Sequence, residues 1–209
     1  MAGAWYTSPM LSLVRPTSPA WVLAAVADLD AVLRDHAHCE MKAAMNALSL
    51  SARAPTPRMA SALAALAEEE ASHFREVVHE LELRGLALGM SPKDVYAESL
   101  RAAAHRTRLA GRSNEETLVD RLLVAALIEA RSCERFRLLA DALTAAGAPL
   151  GAFYERLFVA EARHHAVFVD LATEAAGGDA ARVKARLAEL SVEEAAVCAS
   201  LTSVAEIHG

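Results

Sequence analysis

Glu70-Ala71-Ser72-His73 lies inside an apolar-periodic run that begins near Arg58. In an α-helix, a Glu and a His three residues apart share a face, about 4.5 Å apart along the axis. Together they offer a carboxylate oxygen and an imidazole nitrogen to one metal ion. The same offer recurs ninety-one residues later, at Glu161-Ala162-Arg163-His164. Each copy follows a helical run with acids able to face inward: Glu40 before the first, Glu129 and Glu134 before the second. Two Glu-x-x-His helices, plus one Glu from each of two further helices, form the ligand set of a di-iron carboxylate four-helix bundle. A single Glu-x-x-His says little in a helical chain; two copies in matching halves are far more specific.

The whole chain agrees with that reading. Its 209 residues suffice for one domain with a sizeable core. Ala, Leu, Val, Glu and Arg dominate, and no long Val/Ile/Thr alternation appears, so the expected class is all-α. Charges interrupt every apolar run before the ~18 residues that would span a membrane. Met1 to Arg15 has an apolar patch but no basic region followed by a proper apolar one, so no signal peptide is expected. Cys39, Cys133 and Cys198 have no zinc-like spacing, and reduced thiols in a cytoplasmic protein are expected. The net charge of −6 argues against bulk nucleic-acid binding but leaves room for a local basic patch.

Pro9, Pro16 and Pro19 make residues 1–18 an irregular N-terminal segment, and residues 19–209 the helical domain. Ser18 and Pro19 read as N-cap and first residue of helix A, which runs to about Leu50 with a break near Asp28–Ala31. Helix B spans about Pro57 to Arg84 and stops at Gly85. Helix C starts at Asn114 as N-cap and runs to about Ala146, and helix D spans about Pro149 to Ala176. A short helix is expected over Pro92–Arg108, and two more over 179–190 and 192–206, outside the bundle. Cys39-Glu40 and Cys133-Glu134 echo each other, so A–B and C–D look like two halves of one bundle. From Arg101 to Arg112 there are four arginines, one histidine and no acid. That stretch reads as either a solvated helix face or a phosphate-contacting patch.

Glu40, Glu70, His73, Glu129, Glu161 and His164 fit as six ligands. Glu70 and His73 sit among apolar neighbours, where a carboxylate is costly unless paired or metal-bound. Glu68 and Glu69 fall on other faces and are expected to be solvated. Glu129 and Glu134 are five residues apart and cannot both point at one spot. Glu129 lies on the apolar face and its span to Glu161 resembles that from Glu40 to Glu70, whereas Glu134 matches Glu40 in the Cys-Glu echo. Glu129 is favoured, with Glu134 as a supporting or salt-bridge partner. Arg131 and Arg163, two residues past ligands, are either solvated or paired with a carboxylate of the site. His38 and His165 read as packing or surface groups, and Tyr154 and Phe158 as core. Carboxylate-rich sites with open positions suit iron or manganese rather than structural zinc. Four carboxylates balance two Fe(II) ions, which supply two electrons to O2 and are restored by an external reductant.

Several runs carry a family likeness: Asp35-His36-Ala37-His38-Cys39-Glu40-Met41-Lys42-Ala43-Ala44, Glu69 to His73, Ile128-Glu129-Ala130-Arg131-Ser132-Cys133-Glu134-Arg135-Phe136, and Ala160 to His164. With Thr17, Trp21 and the closing His208-Gly209, they resemble the tRNA 2-methylthio-N6-isopentenyladenosine hydroxylases (MiaE) over roughly residues 19–209. The Ile128–Phe136 string is the specific part; the Glu-x-x-His motifs are shared by all ferritin-like di-iron proteins. The resemblance implies a ferritin-like four-helix bundle with extra C-terminal helices. It also implies a non-haem di-iron monooxygenase that hydroxylates the isopentenyl group on the hypermodified adenosine beside the anticodon of tRNA. Carried over by position, the same six residues would bind the iron.

The expected partners are tRNA and an electron-transfer protein, with no membrane, for a monomer or small homo-oligomer. Two other classes are a di-iron hydroxylase of another small substrate and a non-catalytic ferritin-like iron-handling protein.

Overall fold

A computed structural model describes residues 10–107, 113–201 and 205–208. Arg108, Gly111 and Arg112 of the basic stretch, Pro9 and the rest of residues 1–9, residues 202–204 and Gly209 lie outside the described residues. Among the described residues there are seven helices: α1 Pro19–Ala27, α2 Leu29–Ser51, α3 Pro57–Leu83, α4 Val95–Arg106, α5 Asn114–Ala145, α6 Leu150–Ala175 and α7 Ala180–Ser200. No helix among them is long and apolar enough to cross a membrane.

Short polar side chains start most of these helices by occupying the first free amides. Ser18 accepts from Ala20 N, Asp28 from Ala31 N, Thr56 from Met59 N and Asp94 from Ala97 N. Asp28 leaves helical geometry at φ −136°, which divides the expected helix A into α1 and α2. The cap of α5 is Ser113 rather than Asn114: Ser113 accepts from Glu116 N while the Glu116 side chain accepts from Ser113 N. At the far end, Gly147 turns the chain at φ +69°, a conformation that a Cβ would disfavour.

The two expected C-terminal helices are one continuous helix, α7. Ser191, at the junction of the two expected helices, is buried inside it and donates to Leu187 O at 2.7 Å. A serine hydroxyl bonded back to the carbonyl four residues earlier leaves the helix unbroken.

The closest-packed pairs are α2 with α3 and α5 with α6, the two expected hairpins. Helices α4 and α7 pack on each other and on α5. Inside, the apolar core is two clusters rather than one. The first holds Ala47, Leu50, Leu63, Leu66, Leu122, Ala126 and Phe168; the second holds Leu33, Ala37, Val77, Phe136, Tyr154 and Leu157. On α2, α3 and α6 the chain passes from one cluster to the other across Glu40, across Glu70 and His73, and across Glu161 and His164. A polar layer is thus clamped between two apolar ones. The segment before α1 joins this core: Leu13 is buried, and Thr17 N donates to both Glu134 carboxylate oxygens at 3.1 and 3.2 Å.

Candidate metal centre

The polar layer contains two overlapping donor groups. Glu40, Glu70, His73 and Glu161 form one; Glu70, Glu129, Glu161 and His164 form the other. Within each group the ligand atoms lie within 4.8 Å of one another. Glu70 and Glu161 belong to both, so the structure places them between two positions about which the other four divide. Glu40 and His73 flank one position, Glu129 and His164 the other. All six side chains named from the sequence therefore meet in one place, from α2, α3, α5 and α6.

Glu134 does not join them. Its carboxylate accepts from the Thr17 hydroxyl at 2.5 Å and from Arg131 Nη1 at 2.5 Å. Arg131 also grips Glu194 of α7 through Nε and Nη2, each at 2.9 Å. The possibility that Arg131 pairs with a carboxylate of the site is thus corrected. Position 131 lies two residues past Glu129, about 200° around the helix, and faces α7 and the N-terminal segment. Arg163 pairs with Glu69 at the surface, again outside the donor groups.

The imidazoles are held in ways that only the assembled bundle reveals. His164 Nε2 lies 3.0 Å from Glu69 Oε2, which accepts its proton. Nδ1 then faces inward, 2.8 Å from Glu70 Oε1 and 3.4 Å from Glu161 Oε2. Glu69, expected to be solvated, is instead a half-exposed support for His164, because α6 packs against that side of α3. His73 Nδ1 lies 3.3 Å from Glu70 Oε2 and 3.7 Å from both Glu40 and Glu161. His36 is a further support, not singled out by its spacing: its Nε2 donates to Glu40 Oε1 at 2.6 Å. The signal was present, since His36 and Glu40 are four apart on one helix face. His165 is buried, with Nε2 3.1 Å from the Ser12 hydroxyl, and His38 is buried too.

Burial dominates the electrostatics. It pushes the Glu129 and Glu161 carboxyls above their ordinary range, reinforced by the charge of Glu70. Burial likewise lifts Glu40, to about 8. Burial alone would lower His73 and His164, but their contacts with the surrounding carboxylates outweigh it and raise them to about 10 and about 12. Burial keeps His36 neutral, at about 3. The metal-free cluster thus retains protons between its crowded carboxylates.

These groups fit two divalent cations. Both Glu161 oxygens and His164 Nδ1 are buried without a hydrogen-bond partner; the short approach of Nδ1 to Glu70 is out of line for one. Buried polar atoms left so are costly. Two dications would engage them, displace the retained protons and balance four carboxylates. The donors are oxygens and imidazole nitrogens with no thiolate, a set suited to iron or manganese. Cys39 and Cys133 are free thiols outside both groups.

Access comes from the α2–α4–α5 side. A narrow cavity of about 40 Å³ reaches Glu40, Glu129 and Glu161, and its outer wall includes Lys42, Asn46, Asp94 and Arg101. His208 closes one side, with Nε2 3.0 Å from the Ser132 hydroxyl and its ring stacked on Tyr96.

The comparisons agree with the geometry. A tRNA hydroxylase of Pseudomonas putida, named tRNA 2-(methylsulfanyl)-N(6)-isopentenyladenosine(37) hydroxylase, is 41% identical over 158 residues, covering 75% of this chain and 73% of its own. The protein of the same name from Salmonella typhimurium is 28% identical, covering 85% of this chain and 82% of its own. A solved structure of a Synechococcus protein with aldehyde deformylating oxygenase activity superposes with a TM-score of 0.81 at 33% identity, covering 96% of each chain. It matches the present fold as a ferritin-like oxygenase. The family model described as tRNA-(MS[2]IO[6]A)-hydroxylase (MiaE) matches residues 7–209, and the chain belongs to that family.

Proposed function

We propose that this protein is an O2-dependent di-iron monooxygenase that hydroxylates the isopentenyl group of 2-methylthio-N6-isopentenyladenosine in tRNA, in the cytoplasm. The observation that carries the reading is the pair of donor groups sharing Glu70 and Glu161 inside a chain of the MiaE family. Glu40, Glu70, His73, Glu129, Glu161 and His164 hold two iron ions, which supply the redox chemistry of O2 activation when bound. The chain's own residues do the rest. Glu69 and His36 fix the orientation of His164 and Glu40. The two apolar layers exclude bulk water from the polar one. The narrow cavity admits the slim end of an isopentenyl group and keeps the base outside. Electrons come from a separate reductant protein, and a monomer or small homo-oligomer suffices, since the donors all lie in one chain.

Nucleoside analysis of tRNA from cells with and without the protein tests the reading. The hydroxylated nucleoside should vanish on deletion and return with the wild-type chain, and an unchanged nucleoside profile refutes it. A second reading, an oxygenase acting on an aldehyde, draws on the likeness to the Synechococcus protein. The polar entrance formed by Lys42, Asn46, Asp94 and Arg101 favours a polar substrate over an aliphatic one. Turnover of aldehydes by the iron-loaded protein, with none of prenylated tRNA, would reverse the choice.

A further inference from the structure

Many arginines of this acidic chain are committed to carboxylates, as Arg137 is to Asp141 and Glu155, or Arg186 to Asp120. Three that have no carboxylate partner among the described residues lie together: Arg53 after α2, Arg101 on α4 and Arg121 on α5. Arg53 Nη1 donates to the Ser49 hydroxyl at 2.7 Å, and Arg121 Nη2 donates to the same oxygen at 3.3 Å. The two nitrogens are therefore at most about 6 Å apart, the sum of those distances. Arg101 and Arg121 together line a recess of about 120 Å³. Burial, followed by the charges of Arg53 and Arg101, lowers Arg121 from its ordinary value, so Arg121 lies within the field of both.

Like charges gathered around one neutral hydroxyl are an unfavourable arrangement for the protein alone. An anion with several acceptor oxygens relieves it, and phosphate matches guanidinium geometry best. Among the described residues one acid borders the recess, Asp120, and Arg186 engages both its oxygens, at 2.9 and 3.0 Å.

The position is informative. The recess shares Asn46, Arg101, Ala125 and Ile128 with the cavity that reaches Glu40, Glu129 and Glu161. Arg121 precedes Glu129 by eight residues of α5, about 12 Å along the helix. Ser49 follows Glu40 by nine residues of α2, about 13 Å. A polymer with its modified base at the cavity would carry backbone phosphates past this recess.

We propose that Arg53, Arg101 and Arg121 form a phosphate-binding site that holds the RNA backbone beside the metal centre. This rests on the tRNA reading above and extends it to residues on three separate elements. Two of them, Arg53 and Arg121, lie outside the basic stretch that the sequence displays.

The test uses the iron-loaded full chain and tRNA carrying the isopentenylated nucleoside, with binding and turnover measured from 50 to 200 mM KCl. Each lost phosphate contact lowers the slope of log K against log salt by about 0.7–0.9. Arg53→Gln/Arg121→Gln should lose about 1.4–1.8 of slope and raise KM at least tenfold, with the change carried by KM rather than kcat. Arg53→Lys/Arg121→Lys should recover most of the slope. Lys184→Gln, an exposed charge on α7, should match the wild type. Iron content and thermal melting check that the variants fold. If the double variant does not fold, Arg101→Gln on exposed α4 should lose about 0.7 of slope. Wild-type slope and KM in the arginine variants overturn the site while leaving the tRNA reading intact. A wild-type protein that neither binds nor modifies tRNA overturns both.

Discussion

Exchanging Glu129 and Glu134 for glutamine, one at a time, separates the proposed metal donor from a structural acid five residues away. Glu134 is buried, 2% exposed, and its carboxylate accepts from Arg131, Thr17 N and Thr17 Oγ1. Glu134→Gln keeps the shape but removes the charge facing a buried guanidinium. Arg131 retains its two-pronged grip on Glu194, so it is not left unpaired. Hydrogen bonds to charged groups contribute about 1.5–3 kcal/mol, and orphaning a buried partner completely costs about 3–5 kcal/mol. A loss of about 2–3 kcal/mol is therefore expected. For a chain of this size it lowers Tm by about 4–12 °C. Iron content should stay at the wild-type level, because Glu134 belongs to neither donor group. Glu129→Gln should do the reverse. It removes a carboxylate that burial and neighbouring acids push above its ordinary range. The metal-free protein should melt no lower than wild type, while iron per chain falls by about half. Calorimetry of chelator-treated and iron-loaded samples, with iron quantified in each, reads both effects. Iron loss in Glu134→Gln together with full loading in Glu129→Gln would refute the assignment.

Other outcomes follow from the same geometry. Glu69→Ala removes the acceptor of His164 Nε2, and iron affinity should fall by about 10–100-fold in chelator competition; unaltered affinity would remove Glu69 from the support of the site. In the metal-free protein, Glu40 is raised from 4.5 to about 8 and His73 from 6.5 to about 10. The folded state then holds protons that the unfolded chain releases, so stability falls as pH rises from about 6 to 9, by roughly 1–2 kcal/mol per pH unit for each retained proton. Metal loading replaces those protons and should flatten the dependence; parallel Tm–pH curves for the two forms would contradict it. Gly151→Ala puts a Cβ 2.9 Å from Thr144 N at the α5–α6 turn, and urea titration should register a loss of about 1–3 kcal/mol.

The donor set was legible because it obeys short-range geometry. A Glu and a His three apart share a helix face wherever that helix lies, so Glu70/His73 and Glu161/His164 announced themselves by spacing alone. Apolar periodicity around them, proline and short polar caps, and glycine stops placed the four long helices to within a few residues. His36 was readable by the same rule, standing four residues before Glu40. What spacing could not supply was anything that depends on which helix lies beside which. Glu69 looked solvated on its own helix, and only the approach of α6 makes it the partner of His164. Arg131 gave no sign that Glu194, sixty-three residues on, would engage it. The three arginines belong to separate elements and converge only when α2, α4 and α5 pack. Glu129 was favoured over Glu134 by its place on the apolar face and its span to Glu161, but both lie on a helix buried on nearly every side, and the packing of α6, α7 and the N-terminal segment around α5 decided which acid met the polar layer and which met Arg131.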